Sequence, residues 1–198
     1  MPEPNVEEVL TKIALKIAKS GHGCIFVIMK NGFDYATFIE QDIIPFKVID
    51  NQRRLEALSM VDGACIINEQ GYLIAYSANI LNVKTFPGFG SRHSSSYTAS
   101  FNGNTVILSS EEDSKVRIFK DGKLLMELDP YTKGIETKTK EVVSILESIG
   151  VGTLSAVGVA AFLPAISISL IPGILIFGSS HYAFKLVGQL MDKNKKLS

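Results

Sequence analysis

The chain has 198 residues, of which 46% are hydrophobic, and its 20 Lys and Arg residues balance its 20 Asp and Glu residues. This length allows one domain with a sizeable core plus an appendage, and it excludes two full-sized domains. A net charge of zero excludes a global field that would attract nucleic acid, so we expect no nucleic-acid partner and only local sites for anions.

Helical and strand patterns alternate through the first 80 residues. The predicted elements are, in chain order, a helix over Val6 to Lys19, a central strand over Cys24 to Met29, a helix over Asn51 to Met60, and a hairpin of strands over 64–68 and 72–80. The cysteines, Cys24 and Cys65, lie in apolar runs typical of buried strands. This favours reduced thiols in the cytosol over a disulfide.

The start of the chain lacks a basic and apolar leader, so we expect no cleaved secretion signal.

The pattern of strands continues after a glycine-rich loop. The predicted elements are a short helix over Ser94 to Ser100, a strand over 105–110, and a hairpin over 115–128 that turns at Asp121-Gly122. The chain is therefore predicted to be α/β, with a single mixed sheet flanked by helices in residues 1–130. A polar linker and the start of a tail helix follow in 131–147, and an apolar helical segment with a basic end occupies 148–198.

The C-terminal segment is different in kind, because residues 148–184 contain no Asp, Glu, Lys or Arg. Such a run exceeds the length of about 18 residues that indicates a membrane helix. One straight helix of this length would be about 55 Å long, whereas the hydrocarbon core is about 30 Å thick. Pro164 and Pro172 interrupt the run, so two shorter helices fit better.

Basic residues flank both ends of this run, which favours a membrane hairpin with both ends in the cytoplasm. Gly152, Ala156 and Ala160 form a stripe of small residues that would let helices approach closely in lipid. A buried helical hairpin in a soluble oligomer is the alternative interpretation of the same run.

The tripeptide Asp62-Gly63-Ala64 lies where a predicted helix gives way to a buried strand. Glycine at this place would let a ligand approach the backbone, and the carboxylate could hold a divalent cation or accept a hydroxyl proton. Asp-Gly is also among the commonest turn dipeptides, so a plain turn explains the tripeptide on its own.

Arg92 and His93 lie in the stretch GFGSRHSSS, which offers them no acidic neighbour in sequence. A guanidinium suits phosphate oxygens, and a neutral imidazole can bind a metal or a phosphate. Gly90 and Ser91 add backbone N–H groups and a hydroxyl ahead of the predicted helix. These groups could form an anion cradle, and a surface loop with a solvated arginine is the alternative.

The order of these motifs resembles the diadenylate cyclase (DAC) domain family. VDGACII is followed by a strand ending in YSANIL, a loop closing with GSRH, and the stretch VILSSEEDSKVRIFKDGKL. In that family a DGA motif and an RH-containing motif form the site, and a strand ending in Ser-Glu-Glu follows them. The resemblance covers about residues 7 to 128 and depends on the three motifs occurring in this order.

The resemblance implies a nucleotidyltransferase that joins two ATP molecules into cyclic di-AMP and releases two pyrophosphates, with Mg²⁺ or Mn²⁺ as cofactor. Each domain of the family holds one ATP, so the implied active state is a face-to-face homodimer or a higher homo-oligomer. Together with the apolar run, this predicts a cytoplasmic domain that contacts membrane lipid through residues 148–184.

The matching positions imply three sets of site residues. The catalytic set is Asp62, Gly63, Ala64, Arg92 and His93. The nucleotide-binding set is Ile80 and Leu81 against the adenine, and Gly90, Ser91, Arg92, Ser110 and Glu112 near the phosphates. The metal set is Asp62, His93 and Glu112. Asp62 would activate the ribose 3′-hydroxyl or hold the metal.

Two departures from the family support an alternative function. Ser94 stands where the common RHR form of the motif has its second arginine, and serine cannot replace that charge. The apolar segment lies at the C-terminus, whereas the better-known membrane cyclases carry their helices at the N-terminus. The alternative is a catalytically inactive nucleotide sensor coupled to a membrane-embedded effector segment. A third interpretation, a tethered adaptor without a ligand, leaves the set of Asp62, Arg92 and Glu112 unexplained.

Overall fold

The fold is one mixed β-sheet with helices on both faces. It is seen in a computed structural model that describes residues 5–150 and 167–177. The helices are α1 (Val6–Lys19), α2 (Gln52–Ser59), α3 (Ser91–Ala99) and α4 (Thr139–Gly150), with a 3₁₀ helix over Ile135–Lys138. The strands are β1 (Cys24–Met29), β2 (Tyr35–Thr37), β3 (Phe46–Lys47), β4 (Ala64–Asn68), β5 (Tyr72–Ile80), β6 (Thr105–Ser109), β7 (Val116–Lys120), β8 (Lys123–Leu128), β9 (Ser167–Ile171) and β10 (Ile174–Phe177). The predicted α/β class with a single mixed sheet is confirmed.

The strands follow the order β2-β5-β4-β1-β6-β7-β8-β10-β9, and β3 pairs with β5 beside this path. β1 and β4 are parallel, with α2 in the connection between them, while the other described pairs are antiparallel. The starts of β1 and β4 therefore lie at the same edge of the sheet as the ends of β5 and β6. Loops that are distant in sequence meet at this edge.

The central strand β1 is apolar throughout because both faces of the sheet are covered. Phe26 and Ile28 pack toward the face that carries α1, α2 and α4. Ile25 and Val27 pack toward the opposite face, which carries α3. A run without polar alternation is what a strand buried on both sides requires.

Local sequence signals correctly predicted several elements. The helix over Val6 to Lys19 is capped by Asn5, whose side chain accepts a hydrogen bond of 2.8 Å from the Glu7 amide. The hairpin of β7 and β8 turns at Asp121 and Gly122, whose φ angles of 51° and 65° are those a two-residue type I′ turn requires. These elements are confirmed because short-range chemistry determines them.

The two cysteines are free and buried, as predicted. Burial raises the pKa of the Cys65 thiol to about 12, and burial also raises that of Cys24 above its ordinary range. Both thiols are therefore protonated and packed at neutral pH.

Helix α3 begins three residues earlier than predicted. The sequence predicts its start at Ser94, whereas the helix spans Ser91–Ala99 and the Ser94 amide donates a hydrogen bond of 3.2 Å to the Gly90 carbonyl. Gly90 is the extended N-cap residue. Arg92 and His93 therefore lie in the first turn of a helix and not in a loop.

Residues beyond 130, where the sequence predicted the end of the first domain, contribute to the same core. Helix α4 packs against α1, and Ile135, Val142 and Leu146 are each 5% exposed or less. Lys19 and Glu136 form an ion pair of 2.5 Å between these parts of the chain. The packed domain in the described structure extends past residue 130.

The helical expectation for 148–198 is wrong in residues 167–177, which form the hairpin of β9 and β10. β10 pairs antiparallel with β8, and the Ile174 side chain is 1% exposed. Pro172 and Gly173 form the turn. The φ angle of Gly173 is 83°, which glycine adopts without strain. The sequence predicts breaks between helices at the prolines, but here a proline-glycine turn lets β-branched residues extend the open edge of the sheet.

The rest of the apolar run, including the stripe of Gly152, Ala156 and Ala160, lies outside the described residues. Among the helices of residues 5–150 and 167–177, none has the length and apolar character needed to cross a bilayer.

Candidate functional site

A cavity of about 520 Å³ lies at the sheet edge where β1 and β4 begin and where β5 and β6 end. Eight of the predicted site residues line it: Asp62, Gly63, Ile80, Ser91, Arg92, His93, Ser110 and Glu112. The sequence prediction missed Gly23, Phe38, Met60, Asn79 and Glu111, which also line it. The three motifs, although separated in sequence, therefore meet at one cavity.

The other three predicted site residues do not line the cavity. Ala64 is fully buried in the core beneath α3, and Leu81 is 40% exposed to solvent. Gly90 lies against the Glu112 carboxylate, since a Cβ atom built on Gly90 would be 2.5 Å from the Glu112 Oε1 atom. Glycine at position 90 allows a carboxylate to approach the start of α3.

Arg92 has acidic partners that its sequence neighbourhood does not reveal. Its guanidinium forms an ion pair with Glu111, and its Nη2 atom lies 3.9 Å from the Asp62 Oδ1 atom. The side chains of Arg92 and Glu111 are 43% and 55% exposed, and ion pairs in such positions contribute little stability. A phosphate that enters the cavity can therefore compete with Glu111 for Arg92 at low cost.

Asp62 and Gly63 have different local functions. The Asp62 side chain is 82% exposed at the cavity. Gly63 has a φ of 104°, and a Cβ atom there would lie 2.6 Å from the carbonyl carbon of Ser77. The missing side chain thus makes room for the backbone of β5, and Gly63 also lines the cavity.

We expect Gly63→Ala to destabilise the fold more than Gly21→Ala, as measured by denaturant unfolding. Both glycines have positive φ angles, but a Cβ atom on Gly21 would meet nothing within 4 Å. The Gly21→Ala substitution should therefore lower the free energy of unfolding by about 1 kcal/mol, because alanine at this position must adopt a left-handed backbone conformation. The Gly63 variant adds a clash with backbone that cannot move aside, and equal losses in the two variants would contradict this account.

His93 lines the cavity and is deeply buried, with 2% exposure. Its Nε2 atom lies 2.9 Å from the Nη1 atom of Arg117. Burial lowers the pKa of His93, and the charge of Arg117 lowers it further, so the ring is neutral at pH 7. Its Nδ1 atom is buried and has no hydrogen-bond partner in the described part of the chain.

This geometry does not favour His93 as a metal ligand. A metal would need the lone pair that Nε2 directs at Arg117. Asp62, His93 and Glu112 do not form a metal cluster, and neither does any other group of three His, Cys, Asp or Glu residues within 5–150 and 167–177.

The carboxylates at the cavity fit a different kind of divalent cation site. Asp62, Glu111 and Glu112 supply the hard oxygen ligands that Mg²⁺ and Mn²⁺ prefer. Mg²⁺ in nucleotide sites usually takes one or two carboxylates together with phosphate oxygens and water. The residues present fit a cation that arrives with a phosphate ligand, and they do not form a cage made of protein alone.

Arg117 was not among the predicted site residues. It lies in β7 with 4% exposure, and its guanidinium contacts Asp113 and Glu127 in addition to His93. Burial raises the pKa of Asp113, but its hydrogen bonds with Arg117 outweigh that effect and lower the pKa to about 2. The hairpin register, which places Arg117 opposite Glu127, is the signal that could have indicated this pair.

The comparisons with known proteins identify the same family that the motifs resemble. Residues 12–124 match the DAC family, described as DisA bacterial checkpoint controller nucleotide-binding. A diadenylate cyclase from Methanocaldococcus jannaschii is 36% identical over 81 residues, covering 38% of this chain and 26% of that protein. A diadenylate cyclase from Haloferax volcanii is 28% identical over 146 residues, covering 65% of this chain and 54% of that protein.

The fold is similar to the crystal structure of a double mutant of DacA from Staphylococcus aureus. The TM-score is 0.50 at 19% identity, covering 70% of this chain and 93% of that chain. The present chain spans about half or less of the length of the two curated relatives it matches. With the matched stretch 12–124 covering more than half of the chain and containing all three motifs, the chain belongs to the DAC family.

Proposed function

We propose that this chain is a diadenylate cyclase, which joins two ATP molecules into cyclic di-AMP and releases two pyrophosphates. The observation that carries the proposal is the single cavity at which Asp62, Arg92, His93, Ser110 and Glu112 meet. Phosphoryl transfer is catalysed chiefly by positioning and by neutralising charge, and these residues supply cationic, hydrogen-bonding and acidic groups.

In the proposed reaction the 3′-oxygen of one nucleotide attacks the α-phosphorus of the other, and the bond to pyrophosphate breaks. Asp62 accepts the hydroxyl proton, for which an exposed carboxylate is suited. Arg92 exchanges Glu111 for phosphate oxygens. His93 offers its Nδ1–H group, and Ser91 lies beside it at the N-terminal end of α3, where anions are favoured.

A Mg²⁺ or Mn²⁺ ion, when bound with the nucleotide, would neutralise charge on the phosphates. Asp62 and Glu112 are the residues we propose to hold it, together with phosphate oxygens. His93 is not part of this revised metal set because Arg117 occupies its Nε2 atom.

We propose that two copies of the chain face each other across their cavities, as a homodimer or within a larger homo-oligomer. Phe38, Met60 and Val61 support this arrangement, because they line the cavity and are 57%, 45% and 38% exposed. Exposed apolar side chains that adjoin a polar site suit contact with another protein surface.

We further propose that the domain is cytoplasmic and is held at the membrane by lipid contacts within residues 148–184. The support is the uncharged run itself and the lysines that flank it. Since residues 167–177 pair with the sheet, the proposed contacts involve 151–166 and 178–184, which lie outside the described residues.

A nucleotide sensor is the second candidate function, and the environment of Ser94 favours it. The Ser94 side chain is 7% exposed, and its hydroxyl accepts a hydrogen bond of 3.0 Å from the Phe86 amide. It is therefore turned into the protein and adds no cation to the cavity. A site with one arginine, already paired with Glu111, could bind a nucleotide without turning it over.

The test is to incubate the full chain with ATP and either Mg²⁺ or Mn²⁺ and to identify the products by mass spectrometry. We expect cyclic di-AMP and pyrophosphate. Saturable binding of ATP without product would favour the sensor, and the absence of both binding and product would contradict both functions.

A further inference from the structure

The guanidinium of Arg117 is held by two carboxylates, those of Asp113 and Glu127. Its Nη1 and Nη2 atoms contact the two Asp113 oxygens at 3.0 and 2.5 Å. Its Nε and Nη2 atoms contact Glu127 Oε2 at 2.9 and 2.7 Å. These contacts use four of the five N–H groups that an arginine carries. One N–H group of Nη1 is left, and it meets His93.

This remaining contact determines the protonation of the imidazole. A guanidinium has hydrogens on every nitrogen and cannot accept, so the His93 Nε2 atom must be the acceptor in the 2.9 Å contact. A neutral imidazole then carries its hydrogen on Nδ1. In the opposite tautomer two N–H groups would face each other at Nε2.

The Phe89 ring also packs against the imidazole of His93. The Phe89 ring centroid lies 4.7 Å from that of His93, and the Arg117 Cζ atom lies 5.1 Å from the same Phe89 ring. Arg117 and His93 thus share one aromatic neighbour, which limits the rotation of both groups.

We propose that Arg117 is a positioning residue for the cavity, which holds His93 in the Nδ1-protonated tautomer so that this N–H group can donate to a phosphate oxygen. The buried Nδ1 atom without a partner among the described residues is the observation that points to a ligand. The ligand is of the polyphosphate class, and the inference rests on the proposed function. It also gives the missing second arginine of the motif a partial substitute, because Arg117 acts through His93 without entering the phosphate site.

The first test uses the unmodified chain without ATP. Nitrogen-15 spectra distinguish the two tautomers of each histidine, and His93→Asn identifies the signal among the three histidines of the chain. We expect Nδ1 to be protonated and Nε2 to be bare. Adding inorganic triphosphate should shift the Nδ1 proton signal. A bare Nδ1, or a signal unmoved by saturating triphosphate, would overturn the proposal.

The second test compares variants at fixed pH. Arg117→Met should let both tautomers of His93 coexist and lower kcat by about 10- to 100-fold through misplacement of the donor. Arg117→Lys should recover part of the loss, because an ammonium can still donate to Nε2. Glu127→Gln is the matched control, since it weakens the same network but leaves the Arg117 to His93 bond. A single, unchanged tautomer and unchanged kcat in Arg117→Met would contradict the proposal.

The two tests separate this inference from the proposed function. If the chain makes no cyclic di-AMP, the tautomer and the response to triphosphate still decide whether Arg117 positions a phosphate donor. If the methionine variant does not fold, the spectra of the unmodified chain decide the same question.

Discussion

Asp62→Asn should lower the rate of cyclic di-AMP formation by at least about 100-fold, the lower range for losing a positioned general base. The amide keeps the shape of the carboxylate but cannot accept the proton of the ribose hydroxyl, and it is a weaker ligand for a cation. Because the side chain is 82% exposed, the free energy of unfolding should change by no more than about 0.5 kcal/mol. The measurements are product formation by mass spectrometry and denaturant unfolding.

Asp50→Asn is the control for this variant. Asp50 is also an exposed aspartate, but it does not line the cavity. It should retain full activity. If Asp62→Asn turned over at the rate of the control, Asp62 would have no role in the reaction. His93→Ala separates activity from folding less well, because it would leave the buried N–H group of Arg117 without an acceptor.

Arg117→Met should lower the free energy of unfolding by about 3–5 kcal/mol, the usual cost of removing one partner of a buried ion pair. The change leaves Glu127, whose side chain is 14% exposed, without its closest cation. It also removes three hydrogen bonds to carboxylates, the 2.7 Å ion pair between Nη2 and Glu127, and the bond to His93. Denaturant unfolding monitored by circular dichroism measures the loss.

Lys115→Met is the matched control, because Lys115 pairs with the same Glu127 at 3.3 Å but is itself 32% exposed. Partly exposed ion pairs contribute at most about 1 kcal/mol, so this variant should lose much less stability. Similar losses of unfolding free energy in the two variants would show that the burial of Arg117 does not determine its contribution to stability.

The sequence predicted those parts of the fold that depend on neighbouring residues. The helix from Val6 to Lys19 has its cap and its apolar stripe within one segment, and the β7 to β8 hairpin has its turn residues between the strands. The site motifs were also found from sequence, through the resemblance to a family. Eight of the eleven predicted site residues line the cavity, namely all but Ala64, Leu81 and Gly90.

The contacts that the sequence did not predict join residues from separate elements. Glu111 reaches Arg92 only because the end of β6 lies beside the start of α3. In the sequence Arg117 is one polar residue in an otherwise apolar strand. Its partners, Asp113 and Glu127, lie in the loop before it and in the next strand. The strands at 167–177 depend on the free edge of β8, and periodicity within that run contains no information about that edge.

The central position of β1 has a consequence for how the site comes into being. β1 pairs with β4 on one side and with β6, from much later in the chain, on the other. Pairing between distant strands is slow, and the loops that carry Asp62, Arg92 and Glu111 converge only once it is complete. No single hairpin or helix among the described elements contains all the residues that line the cavity. The proposed phosphate binding is therefore a cooperative property of the whole sheet, and heating should abolish it in the same transition that melts the strands.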